Sequence, residues 1–267
     1  EVELAAFQRS FVWTKPQMDR FIESLLLGFP VPGIMLVQQS DKRYLVLDGQ
    51  QRLRTLQAFY NGIHRKREFS LENVAEEFKG LTYKTLEPEQ KRVLDNSFIQ
   101  ATIVKTDGTA ESRESVYQIF ERLNSGGTQL TPHEIRIALY PGPFVDFLGE
   151  LNQIESWRNI YGSVSPRVRD HELLLRVVAV YVSSEEYFRP LKRFLNSFLG
   201  RHRALDKLSA DDLRHHFTKA IDALNAAGAR DYLRPPRARL NVATFDAVMV
   251  GAMRRVAGTG ELYTEEA

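Results

Sequence analysis

From Pro16 to Gly28 the apolar residues Met18, Phe21, Ile22, Leu25 and Leu26 recur at the spacing of one helix face, with proline at the start and glycine at the end. The pattern then shortens to that of strands. IMLVQQ (34–39) and YLVL (44–47) are apolar runs separated by Ser40-Asp41-Lys42-Arg43, which predicts a hairpin, and FIQATIVK (98–105) is a further strand candidate. From Glu111 onward the pattern is helical, over 111–123, 132–140, 143–154, 170–183, 185–199, 209–227 and 242–257, and no strand signal returns. HELLLRVVAVYV (171–182) is apolar nearly all round and is expected in the middle of a helical bundle. The proline-rich YLRPPRARLN (232–241) is expected to be an exposed connection. An α+β fold follows, with a mixed N-terminal domain over 1–140 and an all-helical region over 141–267.

Composition adds bounds to that picture. The 267 residues, 43% apolar and 26% charged, suffice for one large core or two modest ones. No run approaches the length of a membrane span, and EVELAAFQRS lacks the basic and apolar character of a leader, so a soluble cytoplasmic chain without membrane partners is expected. The start at Glu1 leaves further sequence beyond either end as an expectation. With no cysteine, disulfides, thiolate zinc sites and a cysteine nucleophile are excluded. The net charge of +2 hides an asymmetry: residues 189–255 hold 14 Lys or Arg against 6 Asp or Glu. Arg189, Lys192, Arg193, Arg201, Arg203, Arg234, Arg237 and Arg239 could meet DNA phosphates, with Arg234, Arg237 and Arg239 as the DNA-binding candidates. Solvated helix faces are the alternative.

Four stretches could carry chemistry. In YLVLDGQQRLRTL (44–56) a strand breaks at Asp48-Gly49 and restarts as a helix, which leaves free N–H groups and a positive dipole end at the turn. Gly49 permits close approach, Gln50 and Gln51 are donors, and Arg52 can make a two-pronged bond to phosphate. Asp48 either caps the helix or holds a metal; a capped turn with a surface arginine is the plainer alternative. FQRSFVW (7–13) places Gln8 and Arg9 in an aromatic run, either as a second anion contact or as an arginine lying over Trp13. FERLNSGGTQLTPHEIRIALY (120–140) turns through Asn124, Gly126 and Gly127, and Thr131 to Glu134 has capping-box spacing. That loop either wraps a ligand or is only a turn. SPRVRDHELLLR (165–176) sets Arg167, Arg169, Asp170, His171 and Glu172 before the buried helix, where capping and interdomain salt bridges are favoured over catalysis.

Taken in order, QRSFVW, FIESLLLGFPVPGIML, LVLDGQQRLRTLQAFYNG, IFERLNSGGTQLTPHEIRIALY and RDHELLLRVVAVY resemble the N-terminal domain of GmrSD-type, modification-dependent restriction enzymes, over about residues 7–255. The resemblance implies a ParB/sulfiredoxin-like N-terminal domain that binds and hydrolyses an NTP. Gly49 and Arg52 match a Gly-x-x-Arg turn, Asn124 before LTPHE matches an Asn-containing second element, and Gln8 and Arg9 match an early QR pair. Asp48, Gln50 and Gln51 complete the DGQQR signature. Family members that cut DNA carry a separate His-Asn-His nuclease domain. The six histidines at 64, 133, 171, 202, 215 and 216 do not form that motif, so cleavage is expected of a partner nuclease or of sequence outside these residues.

The expected function is a nucleotide-dependent sensor or regulator in defence against foreign DNA. Its catalytic candidates are Asp48 and Arg52, its nucleotide-binding candidates Gln8, Arg9, Gly49, Gln50, Gln51, Asn124, Gly126 and Gly127, and Asp48 is its metal candidate. ATP, GTP or CTP with Mg2+ is the expected cofactor set, and DNA, a partner nuclease and a second copy of the chain are the expected partners. A non-enzymatic module that reports nucleotide or DNA-phosphate occupancy is the alternative, and an RNA-modifying or toxin-like partner protein is a third.

Overall fold

Residues 2–3, 11–39, 42–123, 130–235 and 240–259 are described by the structure, a computed structural model. The chain divides into two units, Glu1–Gly126 and Gly127–Ala267. The helix that follows Thr131, within the predicted first domain, therefore packs in the second unit.

In the first unit a short strand, β1 (Val2–Glu3), precedes α1 (Lys15–Leu26), whose five predicted apolar residues are all buried. Gln17 Oε1 accepts from the Thr14 N–H at 2.9 Å, which satisfies one donor at the helix start, and Pro16 sits in the first turn. The hairpin forms as β2 (Ile34–Gln38) and β3 (Tyr44–Asp48), antiparallel, and leads into α2 (Gln50–Asn61). Next come β4 (Ile63–His64) and β5 (Arg67–Glu68), a tight hairpin across Arg65 and Lys66, both with positive φ (48° and 65°), as a two-residue loop between twisted strands requires. The unit continues through α3 (Pro88–Asp95), β6 (Ala101–Lys105) and α4 (Ala110–Leu123). The sheet order is β1-β3-β2-β6, with β6 parallel to β2 and β1 parallel to β3.

One face of α1 packs with Phe59, Phe69, Leu71, Phe78, Leu86 and Leu94. Each such fully buried side chain contributes roughly 1.5–3 kcal/mol. A buried carboxylate, Asp19, fastens the following loop to α1. Its Oδ2 accepts from the Asn73 N–H at 3.0 Å and Asn73 Nδ2 at 2.8 Å, and Lys15 pairs with its other oxygen.

The second unit holds α5 (Pro132–Leu139), α6 (Pro143–Leu151), α7 (Glu155–Tyr161), α8 (Arg169–Ser183), α9 (Leu191–His202), α10 (Ala210–Ala226), α11 (Ala229–Leu233) and α12 (Val242–Thr259). As its all-round apolar pattern predicts, α8 is central, in contact with α6, α9 and α12. Two predicted helices are corrected. The one expected from 185 begins at Leu191, because Pro190 cannot continue a helix and constrains the residue before it. The one expected over 143–154 ends at Leu151, where Asn152 turns its side chain to α7 and accepts from Trp157 Nε1 at 2.9 Å. The exposed connection expected over 232–241 is anchored at both ends: Leu233 is buried, and its carbonyl accepts from the Asn241 N–H at 2.8 Å. Among the described residues no helix is long and apolar enough to cross a membrane.

Candidate functional site

The strand-to-helix break in LVLDGQQR is built by an irregularity in the sheet. Met35 pairs with Asp48 while Leu36 pairs with Val46, so β3 carries one extra residue immediately before the turn. Gly49 then adopts φ +95°, in the left-handed region that favours glycine. A Cβ there would lie 2.3 Å from Ile34 Cγ2, so packing against Ile34 demands glycine as strongly as the dihedral does. The Cβ direction of Gly49 is thus filled by Ile34. What Gly49 does supply is a helix start without a side-chain cap, where the first N–H groups of α2 have no intrahelical acceptor.

Asp48 does not cap the helix. Its carboxylate, 56% exposed, pairs with Arg52 at 2.7 Å across one helical turn. The same Arg52 Nη2 donates to the Gly33 carbonyl at 2.8 Å, so the guanidinium bridges the loop before β2 and the end of β3. Gly33 is itself tightly placed, since a Cβ there would meet the Gln100 carbonyl at 2.7 Å.

Gln51 has a role its sequence position did not suggest. Its Oε1 accepts from the Val12 and Trp13 N–H groups at 3.0 and 3.2 Å and clamps residues 12–13 to the start of α2. Both partners are donors, so the amide orientation is settled and Nε2 faces elsewhere. That Nε2 is buried without a partner among the described residues, as are Gln50 Nε2 and Arg52 Nε. An unmet buried donor costs about 1–3 kcal/mol, and here three consecutive residues of one first turn each carry one. The turn thus offers charge and donors to an anion, with Asp48 as the accessible carboxylate.

Of the remaining candidates, Gln8, Arg9, Asn124, Gly126, Gly127, Arg237 and Arg239 lie outside the described residues. Arg234 departs from the exposed patch expected of it. Its guanidinium donates to the Tyr161 carbonyl and lies 2.6 Å from where a Cβ on Gly162 would be, so a glycine makes room for it. Thr131 and Glu134 form the predicted capping box of α5.

The fourth stretch forms ion pairs and hydrogen bonds within the second unit. Arg167 donates to both oxygens of Glu134, at 3.0 and 2.9 Å. Buried Asp170 accepts from Arg158 at 2.9 Å, Asn152 at 3.2 Å, and the Ser165 and His171 N–H groups at 3.1 and 3.0 Å. His171 joins a chain whose polarity is fixed at both ends. Arg136 can only donate, so it gives to His133 Nδ1 at 3.1 Å; His133 Nε2–H gives to His171 Nδ1 at 2.9 Å; and His171 Nε2–H gives to the Val145 carbonyl at 3.3 Å. Both rings are neutral in this arrangement. Burial pushes the His171 imidazole down to about 4, and burial with the nearby Arg136 charge holds His133 well below its usual value.

Sequence reasoning missed Arg158, Asn152, Gly33 and Asp19. Arg158, seven residues before the SPRVRDHELLLR stretch, has a local cue in the neighbouring Trp157; Gly33 has one in its place between Pro32 and an apolar strand. Asp19 looks like one more polar residue on an amphipathic helix.

Among the described residues there is no group of three His, Asp or Glu side chains that could hold a metal ion. A cation at Asp48 would depend on phosphate and water for its other ligands, which is how magnesium is held in nucleotide sites. Compared with known proteins, residues 2–141 match the family described as GmrSD restriction endonuclease, N-terminal domain. No curated protein and no solved structure matches the chain.

Proposed function

The chain belongs to the family of GmrSD restriction endonuclease N-terminal domains, a restriction-system role in defence, and on that premise we propose that it is a nucleotide-dependent sensor whose pocket is the turn at Asp48–Arg52. The observation that carries this reading is three side-chain donors unmet among the described residues, on consecutive Gln50, Gln51 and Arg52, in a first helical turn that has no side-chain cap among them. A triphosphate suits this turn. It accepts from the N–H groups of α2, compensates the dipole, and takes Arg52 from Asp48 in a charge-assisted bond. Asp48 is then released to hold magnesium, which when bound neutralises phosphate charge and polarises the phosphoryl group. Gln51 fixes residues 12–13, three positions after Arg9, the residue we assign as a second phosphate contact. The resemblance to ParB/sulfiredoxin-like domains supports the same assignment for Asn124, Gly126 and Gly127.

Hydrolysis and mere occupancy are separated by turnover. Release of inorganic phosphate above background, abolished in Asp48→Asn, supports an NTPase. Saturable binding without release supports a module that reports occupancy to a partner nuclease, a reading favoured by the Asp48–Arg52 pair, because exchanging one ion pair for a ligand is a switch that needs no chemistry. DNA is the macromolecular partner we assign. Supercoiled plasmid incubated with the chain, magnesium and NTP is expected to survive, and nicking lost in Arg52→Ala would contradict that division of labour.

A further inference from the structure

The second unit contains a cleft of about 600 Å³, and all its lining residues lie between Thr131 and Val242. Its floor is one face of α8. Arg169, Glu172, Leu173 and Arg176 are spaced i, i+3, i+4 and i+7, and all four line it. Arg234 adds a third guanidinium, held in place by the Tyr161 carbonyl. Pro132, Arg169 and Val242, the first residues of α5, α8 and α12, line the cleft as well, so three positive helix ends add to its field.

The charges are not all neutralised within the protein. Arg176 pairs with Asp246, yet its Nε is buried without a partner among the described residues. Arg169 is exposed, and no hydrogen bond or ion pair of its side chain is formed among the described residues. Against three guanidiniums the lining carries one carboxylate, Glu172, whose Oε1 lies 3.5 Å from Arg136 Nη1. Val164, Leu173 and Leu240 supply apolar wall. A volume of this size falls within the usual range for a small organic ligand, roughly 300–1,000 Å³.

We propose that this cleft binds a single phosphorylated nucleotide. The phosphate lies against Arg169 and Arg176, where guanidinium forks match its oxygens. The base lies between the apolar walls, and Glu172 accepts from an exocyclic amine, as carboxylates do from cytosine. The nucleotide is either free or one residue of a DNA strand, and both present the same chemistry.

The test uses the full chain carrying Arg52→Ala, so that the turn in the first unit contributes less and the position-169 variants are compared on that common parent. Deoxycytidine 5′-monophosphate is titrated by calorimetry and a short fluorescein-labelled DNA strand by anisotropy, each against this parent and against Arg169→Glu and Arg169→Lys made in it. Position 169 is exposed at a helix start, so both variants are expected to fold, with melting curves as the check. Binding of the mononucleotide that weakens about tenfold or more in Arg169→Glu and is partly restored in Arg169→Lys assigns the free nucleotide. The same pattern for the strand alone assigns a nucleotide within DNA. Absence of binding by either probe, or equal affinity in Arg169→Glu and its parent, overturns the proposal.

Discussion

The turn at Gly49 and the histidine chain around His133 both bury polar groups, and they differ in what those groups meet. Around His133 a donor-only arginine, two neutral imidazoles and a backbone carbonyl form a line of hydrogen bonds whose direction is fixed at both ends. At the turn, three consecutive side chains keep a buried donor without an acceptor among the described residues, and the ion pair beside them is open to solvent on its carboxylate side. A run of paired groups holds a fold, whereas an unmet buried donor calls for an explanation.

Breaking the paired network gives the largest expected effect. Asp170→Ala strands Arg158, Asn152 and two backbone N–H groups, and is expected to cost about 3–5 kcal/mol, read from chemical denaturation. Acid attacks the same network. The unfolded chain protonates His171 near its ordinary value while the folded chain resists to about 4, so stability is lost as pH falls from about 6.5 towards 4 and is steady above that window. The loss from this one group is on the order of 3 kcal/mol. Urea midpoints at several pH values check it, and His171→Gln should flatten the dependence.

Effects at the turn are smaller for the fold and larger for the ligand. Gly49→Ala combines a disfavoured dihedral with a clash against Ile34 and is expected to cost about 2–4 kcal/mol. Made on an Ile34→Ala background, the same change should cost only the dihedral part, about 1–2 kcal/mol. Arg52→Ala gives up the bond to Gly33 and an exposed pair, on the order of 1 kcal/mol of stability. A melting difference much above that would mean that Arg52 belongs to the scaffold rather than to a binding site.

What the sequence made legible follows from the range of the interactions involved. The α1 stripe, the β2–β3 hairpin, the capping box at Thr131 and the buried α8 are all local patterns, readable within a dozen residues. The parallel pairing of β6 with β2 joins segments some sixty residues apart, and nothing in FIQATIVK announces its partner. Gln51 shows the same limit at the site. Its place at the helix start was visible, but its hold on Val12 and Trp13 depends on a segment nearly forty residues earlier. Gly49 was read correctly as a required glycine and for an incomplete reason, because Ile34 is adjacent only once the hairpin has closed.

The nucleotide pocket is tested most directly by calorimetric titration of the wild-type chain with ATP, GTP and CTP in the presence of magnesium, repeated with Arg52→Ala. One saturable site for at least one of the three, weakened by roughly tenfold to a hundredfold in the variant, is the predicted result, equivalent to losing one charge-assisted contact of about 1.5–3 kcal/mol. Wild-type protein that binds none of the three, or an affinity that Arg52→Ala leaves unchanged, would contradict the assignment of the Asp48–Arg52 turn as a triphosphate site.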